Sequence, residues 1–530
     1  MKRMKRITIF FTLAITAFAN GENIPASNNE QQETRRGDLS EHAFIQKLYS
    51  ENKSVFARQF GELIFKPGGG YPDLPKEAIL ISRTDWGYYI PAHMALFEPE
   101  GRRDVHVVSL KWLVEPPYIR YAGGLHGDAQ PDTIPASLRL PPPSDFSGFI
   151  HNFIEDLKAG RRWNWGGVTI EEDGRVKITH NFMITEIIHT FSNWIYDLNQ
   201  ENHDFYIIED AFLHMWKREH LRPSGMIIKV EKEPLPPVFQ ARELWNGIVE
   251  QDKNYWDALV EKLMVNEDFR KDKDAMNNFS MLRTSIANIY QQRGLSDEYL
   301  YALKQAVAIG PGCVESNHHL GHYYFIRKQY QEAVEVLENL LKHEKDHEKT
   351  IEALKHVNEM RLLHQREAEL EKKNTRDPAV LEEKLELITS YAKIESSGDA
   401  SRLADRLMVD KNTPPQTVYR LADILLNNRC GYHAIDILKK HLEKQTDDSR
   451  GWIELGWCNI LIGMHDNNNE RKTNHYHEAY DAWRKAVEMG GEPAYDLLWT
   501  DERFKDFWKN TPLDSPFQTL RQFLTTEPAP

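Results

Sequence analysis

Two consecutive stretches of this chain repeat one another every 34 residues, and that register admits few folds. Residues 280–313 carry Ile286, Ala287, Tyr290, Ala306 and Pro311, and residues 314–347 carry Leu320, Gly321, Tyr324, Ala333 and Leu340 in the same frame. Small and large apolar residues at these offsets let two short helices pack antiparallel. One such pair cannot bury its own apolar face, so the next pair must stack on it. The frame returns at 381–414 with Leu387, Tyr391, Ala400 and Ala404, and at 415–448 with Leu421, Ala422, Ala434 and Leu438. A last unit opens with Trp452, Leu455 and Gly456 and reaches Ala479, Trp483 and Ala486. It gets there only after about 11 extra residues, which the pattern predicts as a loop between its two helices.

The spacing is similar to that of the tetratricopeptide repeat. The resemblance implies an all-α superhelical array of helix-turn-helix units that holds a protein or peptide partner. Two units fall at 280–347, a charged helical linker at 348–380, three units with a cap at 381–510, and a tail at 511–530. In such arrays positions five and nine of each unit line the inner wall. Here these are Thr284 and Asn288, His318 and His322, Tyr419 and Asp423, and Ile453 and Trp457. Polar and aromatic groups there suit an extended peptide, through hydrogen bonds and stacking. Asn288, His318, His322, Tyr419, Asp423 and Trp457 are therefore candidate ligand-binding residues. His318 and His322 are also one helical turn apart, a spacing that can bind metal. Solvated or packing roles, ligand contact and metal binding all stay open for that pair.

At 530 residues the chain exceeds one core, so two or three domains are expected. Its net charge of −14 is spread along the sequence, which argues against nucleic acid as a partner. Lys2, Arg3, Lys5 and Arg6 precede an apolar run at 7–18, and Ala17-Phe18-Ala19 offers the small residues a signal peptidase reads. Residues 1–19 are thus expected to be a signal peptide, with an uncleaved N-terminal anchor as the alternative, and the protein to be secreted or to enter the lumen of the endoplasmic reticulum or the periplasm. No later segment has the apolar length of a membrane helix. With only Cys313, Cys430 and Cys458, at most one disulfide can form within the chain. Asn52-Lys53-Ser54 and Asn278-Phe279-Ser280 are glycosylation sequons.

The N-terminal half has a different texture. A polar leader and helix occupy 20–60, and Gly68-Gly69-Gly70 reads as a flexible joint. Short apolar runs at 78–81, 105–110, 163–168, 205–208 and 226–230 read as strands, with helical patterns near 90–98, 145–158 and 181–198. This alternation predicts an α/β layered domain over 61–238 with a largely parallel sheet, ended by Pro234-Leu235-Pro236-Pro237. A helical connector follows at 239–279. Within this half, Leu74-Pro75-Lys76-Glu77-Ala78-Ile79-Leu80 leads to Asp85 and Pro91. Gly101-Arg102-Arg103-Asp104-Val105, Val107-Val108-Ser109-Leu110 and Pro117-Tyr118-Ile119 follow, then Ala159-Gly160-Arg161-Arg162 and Leu221–Ile227. Together these resemble the soluble C-terminal region of multi-pass O-mannosyltransferase-like membrane proteins, some of which also carry tetratricopeptide repeats. In that resemblance 221–227 is the closing strand. The family's membrane helices, where glycosyl transfer is expected, have no counterpart here.

Asp85 follows the first predicted strand, where open α/β sheets gather ligand groups, so it could bind a sugar or a metal, cap the helix starting near Pro91 or stabilise a turn. There is no paired Cys-x-x-Cys, Gly-x-Ser-x-Gly or phosphate loop, and no catalytic residue, cofactor or metal site is assigned. The expectation is an exported, soluble, non-enzymatic scaffold that binds a protein or peptide in its repeat groove. The alternative is a sugar- or glycan-binding accessory subunit of a glycosyltransferase system.

Overall fold

The computed structural model describes residues 56–82, 104–110, 138–141, 181–208, 216–373, 377–394, 396–409, 413–466 and 468–504, with Arg102 and scattered positions over 145–178. Asp85 lies outside the described residues, as do the expected signal peptide, the sequon at Asn52 and the helix expected near 90–98. The chain divides into two compact units between Lys355 and His356. No helix among the described residues is long and apolar enough to cross a membrane.

The first unit holds a five-stranded sheet built from β1 (Ile79–Ser82), β2 (His106–Ser109), β5 (Phe205–Ile207), β6 (Leu221–Ser224) and β7 (Ile227–Val230). A separate antiparallel pair, β3 (Val168–Ile170) and β4 (Val176–Ile178), lies apart from it. The strand order is β2-β1-β5-β7-β6. β1 runs parallel to β2 and β5, whereas β7 runs antiparallel to both β5 and β6. The sheet is therefore mixed rather than largely parallel. Leu221–Ile227 is not one closing strand but a hairpin that turns at Gly225, where φ is 67°. A two-residue connection can only return the chain antiparallel, and Pro223, which has no N–H to donate, fits because β6 is the sheet's edge.

The crossover helix before β5, α2 (Asn181–Asn199), buries Phe191, Ile195 and Tyr196 and leaves Leu198 exposed. α1 (Ala57–Phe65) docks on the helical side of the unit, with Phe60 edge-on to Phe279 at 5.2 Å. One continuous apolar core runs from Phe56 through the sheet and on to Tyr323. No break in packing falls at the prolines. Trp245 donates its indole N–H to the Pro236 carbonyl at 2.9 Å, and Arg293 donates to the Glu219 carbonyl at 2.7 Å. The middle of the triple glycine is packed as well. Gly69 has φ 57°, and a Cβ there would lie 2.8 Å from the Tyr255 ring. Gly69 therefore sits against the Tyr255 ring where a flexible joint was expected.

Three helices lead into the hairpins: α3 (Arg242–Val265), α4 (Glu267–Lys271) and α5 (Lys273–Gln292). α5 starts ahead of the 34-residue frame because Asp272 caps it, accepting from the Ala275 N–H at 2.9 Å. α5 pairs with α6 (Ser296–Ile309), and α7 (Val314–Ile326) pairs with α8 (Tyr330–His343). Ser280, the hydroxyl of the second sequon, is fully buried and donates to the Ala306 carbonyl at 2.7 Å. At the root of the unit Arg283 meets Asp252 at 2.7 Å, and the Tyr290 hydroxyl donates to the same carboxylate at 2.6 Å. All three side chains are almost fully buried.

The expected linker is one helix, α9 (Glu348–Leu370), and the boundary between the units falls inside it. It is not simply an exposed charged rod. Within the second unit Val357, Met360, Glu367 and Leu370 are buried along one stripe. Glu367 accepts a fork from Arg402 at 2.6 and 2.8 Å and the Tyr391 hydroxyl at 2.9 Å. The hairpins of this unit are α10 (Pro378–Lys393) with α11 (Ser397–Val409), α12 (Pro415–Asn427) with α13 (Gly431–Leu442), and α14 (Ser449–His465) with α15 (Asn469–Thr500). α15 is kinked at Gly491, where φ is 58°.

The extra residues of the last hairpin extend its helices instead of forming a long loop. α14 runs to His465, and α15 begins at Asn469 under the cap of Asn468, which accepts from the Arg471 N–H at 3.0 Å. Asn459 meets His475 at 2.9 Å, and Gly463 lets Tyr476 pack flush, so the added turns pair with each other.

Candidate functional site

The first unit contributes Asn288, His318 and His322. His318 is buried beneath the start of α9, with its Nε2 2.8 Å from the Thr350 hydroxyl. The same hydroxyl lies 2.7 Å from His347 Nδ1, and the Thr350 N–H points to that nitrogen at 3.3 Å. An imidazole nitrogen that faces an N–H must accept, so the hydroxyl donates to His347 and accepts from His318 Nε2–H. This fixes the tautomer of His318. Burial pushes its imidazole down to about 3, with His347 a smaller contribution.

The neighbouring wall position, Thr284, is also buried. It shares Ser316 with Ser280 through hydroxyl contacts of 2.8 and 2.7 Å. Position five in these hairpins therefore joins successive helices. Asn288 and His322 are half-buried, and burial lowers the His322 pKa. His318 and His322 occupy one helix face as expected, but His318 spends its Nε2 on Thr350. Among the described residues no group of three or more metal-ligating side chains occurs.

The second unit contributes Tyr419, Asp423 and Trp457, and each meets another part of the chain. Tyr419 donates to Asp448 Oδ2 at 2.5 Å, and His441 Nε2 reaches the same oxygen at 2.7 Å. Asp448 also caps α14, accepting from the Gly451 N–H at 3.0 Å. Burial alone would raise its pKa, but the bonds from Tyr419, Gly451 and His441 outweigh this and hold it below the usual carboxylate range.

Asp423 and Trp457 face the segment that follows α15. Arg503 reaches the Glu454 carboxylate with both terminal nitrogens, at 2.9 and 3.0 Å, and lies 3.5 Å from Asp423. Glu454 is only 3% exposed and also meets Arg450 at 2.6 Å. Phe504 is fully buried, edge-on to Trp457 at 4.9 Å and to Trp483 at 5.4 Å. Asp501 anchors this turn by accepting from the Arg503 N–H at 3.0 Å and from its guanidinium. Burial first, then Glu454, raises the Asp423 carboxyl above its ordinary range. Burial opposes the charge of Arg503, yet Asp501 and Glu454 more than compensate.

No protein-family model matches the sequence, and no curated protein aligns with it. Solved structures of repeat proteins do. YrrB, a TPR protein with an unusual peptide-binding site, is 12% identical over 44% of this chain and 92% of its own, with a TM-score of 0.18. A nuclear import adaptor that is the hypoxic regulator of sterol synthesis is 13% identical over 51% and 90%, at 0.21. A putative kinesin light chain of Podosopora anserina with nearly identical TPR-like repeats is 16% identical over 47% and 95%, at 0.14. At these scores the likeness adds nothing to the fold that the hairpins themselves display.

Thr350, Asp448, Glu454, Arg503 and Phe504 complete these walls without having stood out in the sequence. Asp448 alone had a local signal, an acidic residue just before an apolar helical run.

Proposed function

We propose that the protein is a non-enzymatic scaffold whose stacked hairpins hold an extended segment of a protein partner. One observation carries this reading. Wall residues of the second unit, Asp423, Glu454 and Trp457, already grip a short segment of polypeptide, residues 501–504 of the chain itself. Carboxylates, a half-buried tyrosine and a tryptophan form a surface suited to peptide chemistry. The signal-like N-terminus supports action after export.

The test uses the full chain, because the first hairpins share their core with the sheet. Full-length protein carrying Asn288→Lys with His322→Glu, or Asp423→Lys alone, is expected to lose partners that co-purify with the unsubstituted chain. Undiminished recovery with both variants would overturn the reading.

A second reading concerns the sheet. Its central parallel strand ends at Ser82, three residues before Asp85, and such strand ends are where open sheets gather ligands. An accessory glycan-binding role would then belong to the sheet, independently of the hairpins. Asp85→Ala should abolish retention on a glycan array while leaving the circular dichroism unchanged. Equal retention would dismiss that role.

A further inference from the structure

We infer that the wall formed by Asp423, Glu454 and Trp457 recognises a peptide with an arginine directly followed by an aromatic residue, and that Arg503-Phe504 is its resident, displaceable occupant. This rests on the scaffold reading and specifies the partner.

The chemistry of the wall is selective at two adjacent points. Glu454 is nearly inaccessible and receives Arg503 through two parallel N–H to oxygen bonds, a geometry that matches a planar guanidinium and not a lysine ammonium. Asp423 adds a second carboxylate on the same side, 3.5 Å from the same nitrogen. Arg450 is the cation that the wall supplies for itself at Glu454, leaving an excess of negative charge for an incoming one. Next to this anionic pair lies an aromatic slot between Trp457 and Trp483, which Phe504 fills with edge-on contacts to both rings.

Asp501 bonds Arg503 within the segment and lies 4.0 Å from Arg450. Arg503 and Phe504 themselves meet the wall through the guanidinium fork and the phenyl ring. Those are groups that a peptide in trans can supply equally well. An intramolecular occupant competes at high effective concentration, so an external peptide binds tightly only when the resident is weakened.

The experiment uses full-length protein and a fluorescein-labelled peptide reproducing residues 499–506 of the chain, read by fluorescence polarisation. Arg503→Ala and Phe504→Ala proteins are expected to bind it at least about tenfold more tightly than the unsubstituted chain. Adding Glu454→Gln to Arg503→Ala should remove the gain, and so should a peptide with glutamate in place of its arginine. If Phe504→Ala fails to fold, Arg503→Ala decides, because it leaves the apolar plug in place. Equal affinity of the variant and unsubstituted chains, or equal binding of the glutamate peptide, overturns the inference. Partner recovery that persists while the peptide fails to bind leaves the scaffold reading standing and sinks only this specificity.

Discussion

His318 Nε2 lies 2.8 Å from the Thr350 hydroxyl, with both side chains buried, and that burial favours the neutral imidazole. Protonating His318 would put a second donor on a ring already enclosed. Its folded pKa of about 3 is below the ordinary 6.5, so between those values the unfolded chain binds more protons than the folded one. Stability from this site is fully present above pH 6.5 and declines as pH falls toward 3. Buried His106, held near 4 by burial and by His203, acts in the same direction. At pH 5 the cost at His318 alone is about 2 kcal/mol. Urea denaturation at pH 7.5 and pH 5 should show the drop, and His318→Gln should reduce it to what His106 contributes.

The glycines at one register position are expected to respond in opposite ways. Gly321 faces Leu337 at 3.5 Å from where a Cβ would sit, so alanine fits. Gly321→Ala should be neutral or stabilising by up to about 1 kcal/mol, through helix propensity. At Gly456 a Cβ would lie 2.2 Å from the Trp483 indole nitrogen, which donates to the Ile453 carbonyl at 3.0 Å. Gly456→Ala should cost about 2 kcal/mol or more. Thermal melts compare the two, and tryptophan emission should shift only for the second.

Removing half of the buried pair at the root of the first unit should be severe. Arg283→Met leaves Asp252 with Tyr290 alone in a site closed to water. The expected loss is about 3–5 kcal/mol. Arg283→Met combined with Asp252→Leu should cost less than the sum of the two single changes. Additive losses in chemical denaturation would show that the pair does not act as a unit.

Glu367 ties α9 to the hairpins of the second unit. Burial would raise its pKa, but Arg402 and Tyr391 outweigh that and lower it. Its stabilisation is therefore present above the ordinary carboxylate pKa and is lost as pH falls through the depressed value. Glu367→Gln should speed amide exchange over 356–370 and leave exchange in the sheet unchanged. Uniform acceleration of both would contradict this local role.

Much of the fold was legible because it is written in local spacing. The small and large residues at 34-residue intervals belong to neighbouring helices, and most of the strands are short apolar runs. The β6–β7 hairpin was obscured by Pro223, which matters only once a strand's place in the sheet is known. The triple glycine and the prolines looked like breaks because two of their packing partners, Tyr255 and Arg293, lie on helices far along the chain.

The sequence by itself determined the repeat, the positions that could line its wall, and the presence of strands in the N-terminal part. Tertiary structure alone decided which of those positions are already engaged. His318 is met by a residue 32 positions later, Tyr419 by one 29 later, and Glu454 by one 49 later. Periodicity reports which side of a helix a residue occupies, because that is set by backbone geometry within a few residues. It carries no information about which distant side chain will bring a complementary charge, hydroxyl or ring to that side.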